Sequence, residues 1–246
     1  MDIEMKIYAP ITWGIKPKFK IQDFRENRHE EILLLIKHHY FREEAMCRSS
    51  KLLDDAVSLH EYLNIIRMWM NDTTSLVAVS VKSGRIIGTV ITRINRNFDK
   101  TNTYSRMQIL EGRTLQSIWN LKSALILQAN AYEAIGHDTY LRVYILSVHP
   151  SYKEEGVAEA LLLATARLAI QMKISAIGGI FTTEEHQLSA YRVGFSLNSE
   201  IFYDKWMENN NVVFKNPGKN NVSAKFMSML TPNREALEKD EVKENN

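Results

Sequence analysis

The stretch from His149 to Ala158 gathers residue types that can hold an anion: His149-Pro150-Ser151-Tyr152-Lys153-Glu154-Glu155-Gly156-Val157-Ala158. An apolar, β-branched run precedes it and a long helical pattern follows. Pro150 has no N–H and stops strand pairing. Gly156 permits a backbone turn that other residues resist, and Ala158 is small enough to let something pack against the helix start. The first turn of a helix presents unpaired N–H groups and a positive dipole end, a combination that suits a phosphate or pyrophosphate. The same spacing also fits a tight strand-to-helix turn with no ligand at all. There is no G-x-x-x-x-G-K-[S/T], so a nucleoside-triphosphate loop is out. There is no G-x-G-x-x-G, so a dinucleotide fold has little support.

The elements around this stretch follow from periodicity. Lys18–Gln22 reads as a short edge strand, after fifteen residues with no clear period. A helix capped by Asn27, with Glu30 in capping-box register, runs to about Tyr40. Phe41-Arg42-Glu43-Glu44-Ala45-Met46 reads as a loop or irregular turn. In the next helix, Asp54–Met70, the residues Leu59, Tyr62, Leu63, Ile66, Trp69 and Met70 share one face. Ser75–Val81 and Arg85–Ile94 form a hairpin about Ser83-Gly84. Residues 96–111 are polar and irregular. Leu115–Ile135 is one helix ended by Gly136. Leu141–Val148 is a strand, Gly156–Met172 a helix, Ile174–Phe181 a buried strand and Glu184–Arg192 a short helix. Phe195–Trp206 and Ala224–Leu230 are late strands. The expected organisation is a single domain over 1–232 with a charged flexible tail over 233–246.

Composition narrows the function classes. The 246 residues carry 31 basic and 29 acidic side chains, a formal net charge of +2. A nucleic-acid-binding domain usually shows a basic excess, so nucleic acid is not expected as a partner. One cysteine, Cys47, excludes an internal disulfide framework and a cysteine zinc cluster. The histidines lack H-E-x-x-H spacing, so no metal is expected. No apolar run approaches the length of a membrane span, and the first residues carry acids and no signal-like apolar core. A cytoplasmic protein without membrane partners is the expectation.

Taken together, these words resemble the GNAT superfamily of acetyl-CoA-dependent N-acetyltransferases. Lys153-x-x-Gly156-x-Ala158 is similar to its [Q/R]-x-x-G-x-[G/A] helix start, with Lys in first place. Ile145-Leu146-Ser147-Val148-His149-Pro150-Ser151-Tyr152 resembles a phrase of the insect-type arylalkylamine N-acetyltransferase branch. Tyr191-Arg192-Val193-Gly194-Phe195 looks like the superfamily's Y-x-x-G-F. Phe41–Met46 resembles that branch's F-x-[D/E]-E-P-[L/M], with Ala45 where Pro is common. The last strand, 224–231, is similar as well, so the resemblance covers about residues 18–231 in order. It implies an α/β GNAT fold, with a mixed central sheet of about seven strands, helices on both faces and a splayed central strand pair.

The resemblance also implies roles. Leu146, Ser147 and Val148 would hold the pantetheine arm of acetyl-CoA, with the Val148 N–H aimed at the thioester oxygen. Lys153, Glu154, Glu155, Gly156, Val157 and Ala158 would take the pyrophosphate. Glu154 and Glu155 depart from the pattern and imply weaker CoA affinity than is typical. Glu44 would be the general base, with Glu43 one residue out of register as the alternative, and Tyr191 the general acid for the CoA thiolate. Thr183 and His186 fall where the branch often has two serines near the substrate. Tyr40, Phe41, Tyr62, Trp69, Phe202 and Tyr203 would either line an amine pocket or pack the core. The implied partner is a small primary amine, an arylalkylamine such as dopamine or serotonin, acted on by a monomer. The alternatives are a polyamine N-acetyltransferase and a catalytically weak CoA-binding protein of the same fold.

Overall fold

The computed structural model describes residues 9–97 and 110–231. The expected tail after 232 and most of the 96–112 loop lie outside the described residues.

The chain starts with two short strands. β1 (Thr12–Ile15) pairs antiparallel with β2 (Phe19–Gln22), so β2 is an interior strand and not the edge. α1 (His29–Leu35) follows a single 3-10 turn, and its N-cap is Arg28, without a side-chain bond, rather than Asn27. The helix runs on through a π-helical turn, Ile36–Tyr40, and a last α turn, Phe41–Glu43. At Glu44 the backbone extends (φ −61°, ψ 130°), and α2 (Ala45–Ser49) begins at once. The stretch expected as a loop is therefore helix on both sides of one residue. The physical reason is local: Glu44 leaves the helical conformation but caps the next helix, its carboxylate accepting from the Cys47 N–H at 2.7 Å.

α3 (Ala56–Met70) leads to the hairpin β3 (Leu76–Ser80) and β4 (Ile86–Arg96). The helix expected over Leu115–Ile135 is two: α4 (Arg113–Ala129) and α5 (Ala131–Ile135), divided at Asn130 with φ 42°. Asn tolerates that left-handed conformation better than most residues. Then come β5 (Thr139–Val148), α6 (Val157–Gln171), β6 (Ala176–Phe181), α7 (Glu184–Val193) and β7 (Ser196–Phe202). The short pair β8 (Met207–Glu208) and β9 (Asn211–Val212) precedes β10 (Ser223–Leu230). The eight-stranded sheet has the order β1-β2-β3-β4-β5-β6-β10-β7, one strand more than expected. Among the described residues only β5 and β6 pair in parallel. Helices cover both faces. Ile32, Ile36, Tyr62, Ile66 and Leu115 pack on one face, and Val157, Leu161 and Ala169 pack on the other.

One local irregularity opens the sheet. β5 and β6 pair only at Leu141↔Ile177, Arg142↔Gly178 and Val143↔Gly179. Against β4 the register of β5 jumps from Thr92↔Val143 to Ile91↔Ile145. Tyr144 is thus the extra residue of a β-bulge, placed where pairing with β6 ends. A bulge bends its strand and increases its twist, and here it turns β5 away from β6. The side chains record the change of phase. Leu141, Val143, Leu146 and Val148 face α6, whereas Tyr144 and Ile145, neighbours in sequence, both face the opposite core.

The inserted helix α4 is pinned to α3 by a shared cap. Asp55 accepts from the Ser58 N–H at 3.1 Å, the Ser58 hydroxyl at 2.7 Å and the Thr114 N–H at 3.2 Å. The Ser58 hydroxyl accepts in turn from the Leu115 N–H at 3.0 Å. These hydrogen bonds, from Ser58 first and then Thr114, hold the Asp55 carboxyl down at about 2. Asp55→Ala should cost about 1–2 kcal/mol of stability, read as a lower denaturant midpoint at unchanged slope. Because the folded pKa lies below the unfolded one, the contribution is full above about pH 4 and fades as the pH falls toward 2. The variant should therefore lose less stability than the parent over that window; parallel loss would contradict the assignment.

Candidate active site

Beyond Val143 the diverging strands leave a cavity of about 380 Å³. Its walls come from Leu146–Val148 of β5, the helix break at Glu43 and Glu44, and Thr183–His186 at the start of α7. Lys153 and the 218–221 loop complete it. That loop is tied down: Asn221 Oδ1 accepts from the Glu184 N–H at 2.9 Å, and Ser49 Oγ accepts from the Asn216 N–H at 3.0 Å. The end of β6 is held as well, since Gln187 Nε2 donates to the Phe181 and Ser223 carbonyls at 3.1 and 2.8 Å.

Glu44 is the notable acid of this cavity. It is 3% exposed. One oxygen serves the α2 cap, and the other, Oε1, makes no hydrogen bond to protein. Ser147 Oγ is likewise buried and unsatisfied by protein. Two such groups lining one cavity are where a polar ligand or water belongs, because buried polar atoms are rarely left unpaired. Glu43 and Glu44 differ in burial. Glu43 is half-exposed and bonds Lys153 Nζ at 2.5 Å, while Glu44 is the enclosed carboxylate. Neighbouring acids stay protonated: burial, reinforced by Glu44, pushes the Cys47 thiol well above its usual range. Burial does the same for the Tyr203 phenol, and for Tyr40 together with Tyr62. Cys47 is therefore no nucleophile.

The β5 edge presents backbone donors to the gap. The His149 N–H donates to the Ile87 carbonyl of the β3–β4 side at 2.8 Å. Successive strand N–H groups alternate sides, so those of Val148 and Leu146 face the splay. At the start of α6, Gly156 adopts φ 70° and the helix has no side-chain cap; the space over Gly156 is open. The first amides of α6 are thus available to an anion. Gly88 lets α6 approach: a Cβ there would meet Val157 Cγ1 at 2.9 Å. These features fit the pantetheine and pyrophosphate of CoA.

Other expected residues fall differently. Lys153 bridges Glu43 and Glu185, at 2.5 and 3.2 Å, rather than standing free for a pyrophosphate. Glu155 pairs with Lys18 at 2.6 Å, and Glu154 is exposed, so both acids lie outward. Thr183 caps α7 through the His186 N–H at 3.3 Å, and both residues line the cavity. Tyr191 does not line it: the residue is 42% exposed, with Lys225 Nζ 5.7 Å from its ring. Of the expected aromatic pocket only Tyr40 lines the cavity. Phe41, Tyr62, Trp69 and Tyr203 are core, and Phe202 is exposed on β7; aromatic side chains lose more by staying wet than a polar cavity returns. Ser147 lies at the cavity as expected for the pantetheine strand, but its buried hydroxyl and the 218–221 loop were not foreseen as cavity walls, because both depend on long-range packing.

No family model matches the chain, and no curated protein matches it in sequence. Solved structures do. A candidate arylalkylamine N-acetyltransferase 7 from the yellow fever mosquito Aedes aegypti superposes with a TM-score of 0.81 at 25% identity, over 91% of this chain and 96% of that one. Arylalkylamine N-acetyltransferase 2 of the same mosquito gives 0.76 at 18%, over 87% and 99%. The polyamine N-acetyltransferase of Drosophila melanogaster gives 0.72 at 15%, over 86% and 99%. The fold matches that of GNAT N-acetyltransferases. The structures it resembles are insect arylalkylamine N-acetyltransferases, which are acyltransferase enzymes.

His186 reports on the electrostatics of the cavity. Burial lowers its pKa below the usual 6.5, opposed by Glu185, with Lys153 acting downward and Glu44 and Glu43 upward. Its NMR titration midpoint should lie below 6.5. Lys153→Met should raise the midpoint and Glu185→Gln lower it further. A parent midpoint at or above the usual value would contradict this account.

Proposed function

We propose that the protein is an acetyl-CoA-dependent N-acetyltransferase acting on a small primary amine by direct transfer. The observation that carries this reading is the buried Glu44 oxygen, unpartnered in a cavity whose opposite wall is the unpaired edge of β5. Acetyl-CoA supplies the acyl group as a thioester. Leu146–Val148 hold the pantetheine arm along the splay, and the amides at Gly156–Ala158 take the pyrophosphate. Glu44 removes a proton from the acceptor ammonium, directly or through one water. The free amine forms the C–N bond at the thioester carbon, the Val148 N–H stabilises the oxyanion, and the C–S bond breaks. The departing sulfur takes a proton from solvent or from Tyr191, which stands outside the cavity lining. Thr183 and neutral His186 orient the acceptor and pass protons to solvent.

Structural kinship favours an arylalkylamine as acceptor. A second reading rests on the lining's acids: Lys153 takes up Glu43 and Glu185, but Glu44 and Glu184 also face the cavity, and Tyr40 is its one phenol. Acids in excess of Arg48, Lys153 and Lys219 suit an amine with a second cationic centre, such as a polyamine.

Thiol release from acetyl-CoA, measured across dopamine, serotonin, agmatine and spermidine, tests both. Amine-dependent release is expected, and the ranking of kcat/KM separates the two acceptor classes. Acetyl-CoA binding without turnover on any of them would leave a CoA-binding protein instead. Glu44→Gln keeps the helix cap but not the base. It should lower kcat at least about tenfold with acetyl-CoA affinity nearly unchanged, and full activity would remove Glu44 from the role.

A further inference from the structure

Three elements meet at the Lys153 ammonium. The residue sits in the 3-10 turn Pro150–Glu155. His149 holds the start of that turn: its Nδ1 accepts from the Ser151 N–H at 3.2 Å, and its carbonyl accepts from the Tyr152 N–H at 2.8 Å. The base of the lysine stem is thus fixed. Its ammonium meets Glu43 Oε2 at 2.5 Å, on the last turn before the Glu44 break, and Glu185 Oε2 at 3.2 Å, on the first turn of α7. All three side chains are half-buried and line the cavity of Glu44. Burial works against the charge on Lys153, but Glu43 and Glu185 more than offset it and raise its pKa. The ammonium stays charged and seated.

Among the described residues Glu43 and Glu185 make no other ion pair. Two carboxylates that close on one ammonium form a subsite for a primary ammonium, because charge-assisted bonds of this kind are the strong ones. Here the chain's own lysine fills it. The subsite and Glu44 frame the same space: Glu44 Oε1 is buried there without a protein partner, and Glu185, Lys153, Glu44 and Glu43 all act on the charge of His186. An acceptor amine that reaches Glu44 with a second ammonium at its far end would compete with Lys153 for Glu43 and Glu185. An acceptor with an uncharged far end would not. The competition favours the lysine, because a tethered cation acts at high effective concentration.

We propose that Lys153 is a specificity-determining residue: its ammonium fills the Glu43–Glu185 subsite and so lowers the preference for acceptors with a second cation. This rests on the reading of the cavity as the site of amine acetylation. It holds whichever acceptor class the parent prefers, because it concerns the ratio between the two.

The test is kcat/KM with acetyl-CoA for propylamine, butylamine and pentylamine, each against the α,ω-diamine of the same chain length. Lys153→Met keeps most of the stem and loses the charge. Its diamine-to-monoamine ratio should rise at least about fivefold over the parent at one chain length or more, as expected for a freed charge-assisted bond in a half-exposed site. Lys153→Arg keeps a cation and should stay close to the parent. Adding Glu185→Gln to Lys153→Met should take back most of the gain. Lys219→Met removes an exposed positive charge from the same lining without freeing a carboxylate pair, and should move the ratio less than about twofold. If Lys153→Met does not fold, Lys153→Gln carries the same expectation. An unchanged ratio, an equal rise in Lys219→Met, or a gain that survives Glu185→Gln would overturn the proposal and leave amine acetylation in place. If the parent acetylates no amine, the reading of the cavity falls instead, and calorimetry with cadaverine decides the subsite. Binding should then tighten in Lys153→Met by a similar factor, and equal affinity would overturn the proposal.

Discussion

The separation of β5 from β6 is the constraint on which the rest depends. A sheet that stayed paired to its ends would bury the backbone groups of Leu146–Val148 in hydrogen bonds and leave no gap for a ligand. The bulge at Tyr144 prevents this while β5 stays paired to β4 on both sides of the extra residue, so the opening has little cost in ladder bonds there. It also sends Tyr144 into the aromatic cluster of the opposite core, where its hydroxyl donates to Asn95 at 3.0 Å. One extra residue therefore both opens the gap beyond it and fills the core beneath it.

Around the gap, helix termini supply the chemistry. A π-helical turn in α1 shifts the register of its last residues, a device found often at functional sites, and the break that follows leaves Glu44 enclosed with one oxygen used and one spare. α6 starts without a side-chain cap, so its amides stay available. α7 starts at Thr183 with His186 on its first turn. The charges are arranged in opposition: Lys153 spans Glu43 and Glu185 at the rim, while Glu44 lies deeper. Glu44 is left out of the rim's ion pairs, which is what the proposed role as base requires.

Much of the order of elements was legible from sequence, because helices and strands carry their own periods. The β3–β4 hairpin, α3, β5, α6 and α7 lie within a few residues of their expected positions. Gly156 was legible as a turn because its position after Pro150 admits few conformations. What was hidden depends on partners. The Tyr144 bulge appears only when β4 fixes the register. The Glu44 break looked like a loop because capping by its own side chain cannot be separated from a solvated turn without the burial around it. Of the aromatic residues left open between pocket and core, most are core, since ring type alone does not reveal which face a helix buries. Lys122 gave no signal at all: an isolated lysine in a helical pattern reads as solvent-facing, and Tyr62 and the Trp119 indole explain its burial.

The most direct measurement is a crystal structure with CoA bound. The account predicts the pyrophosphate on the backbone amides of Gly156–Ala158, the pantetheine arm in the gap between β5 and β6, and the sulfur within reach of the Val148 N–H on the Glu44 side. A CoA molecule whose pyrophosphate lies away from the start of α6, or whose arm runs outside the gap, would contradict it.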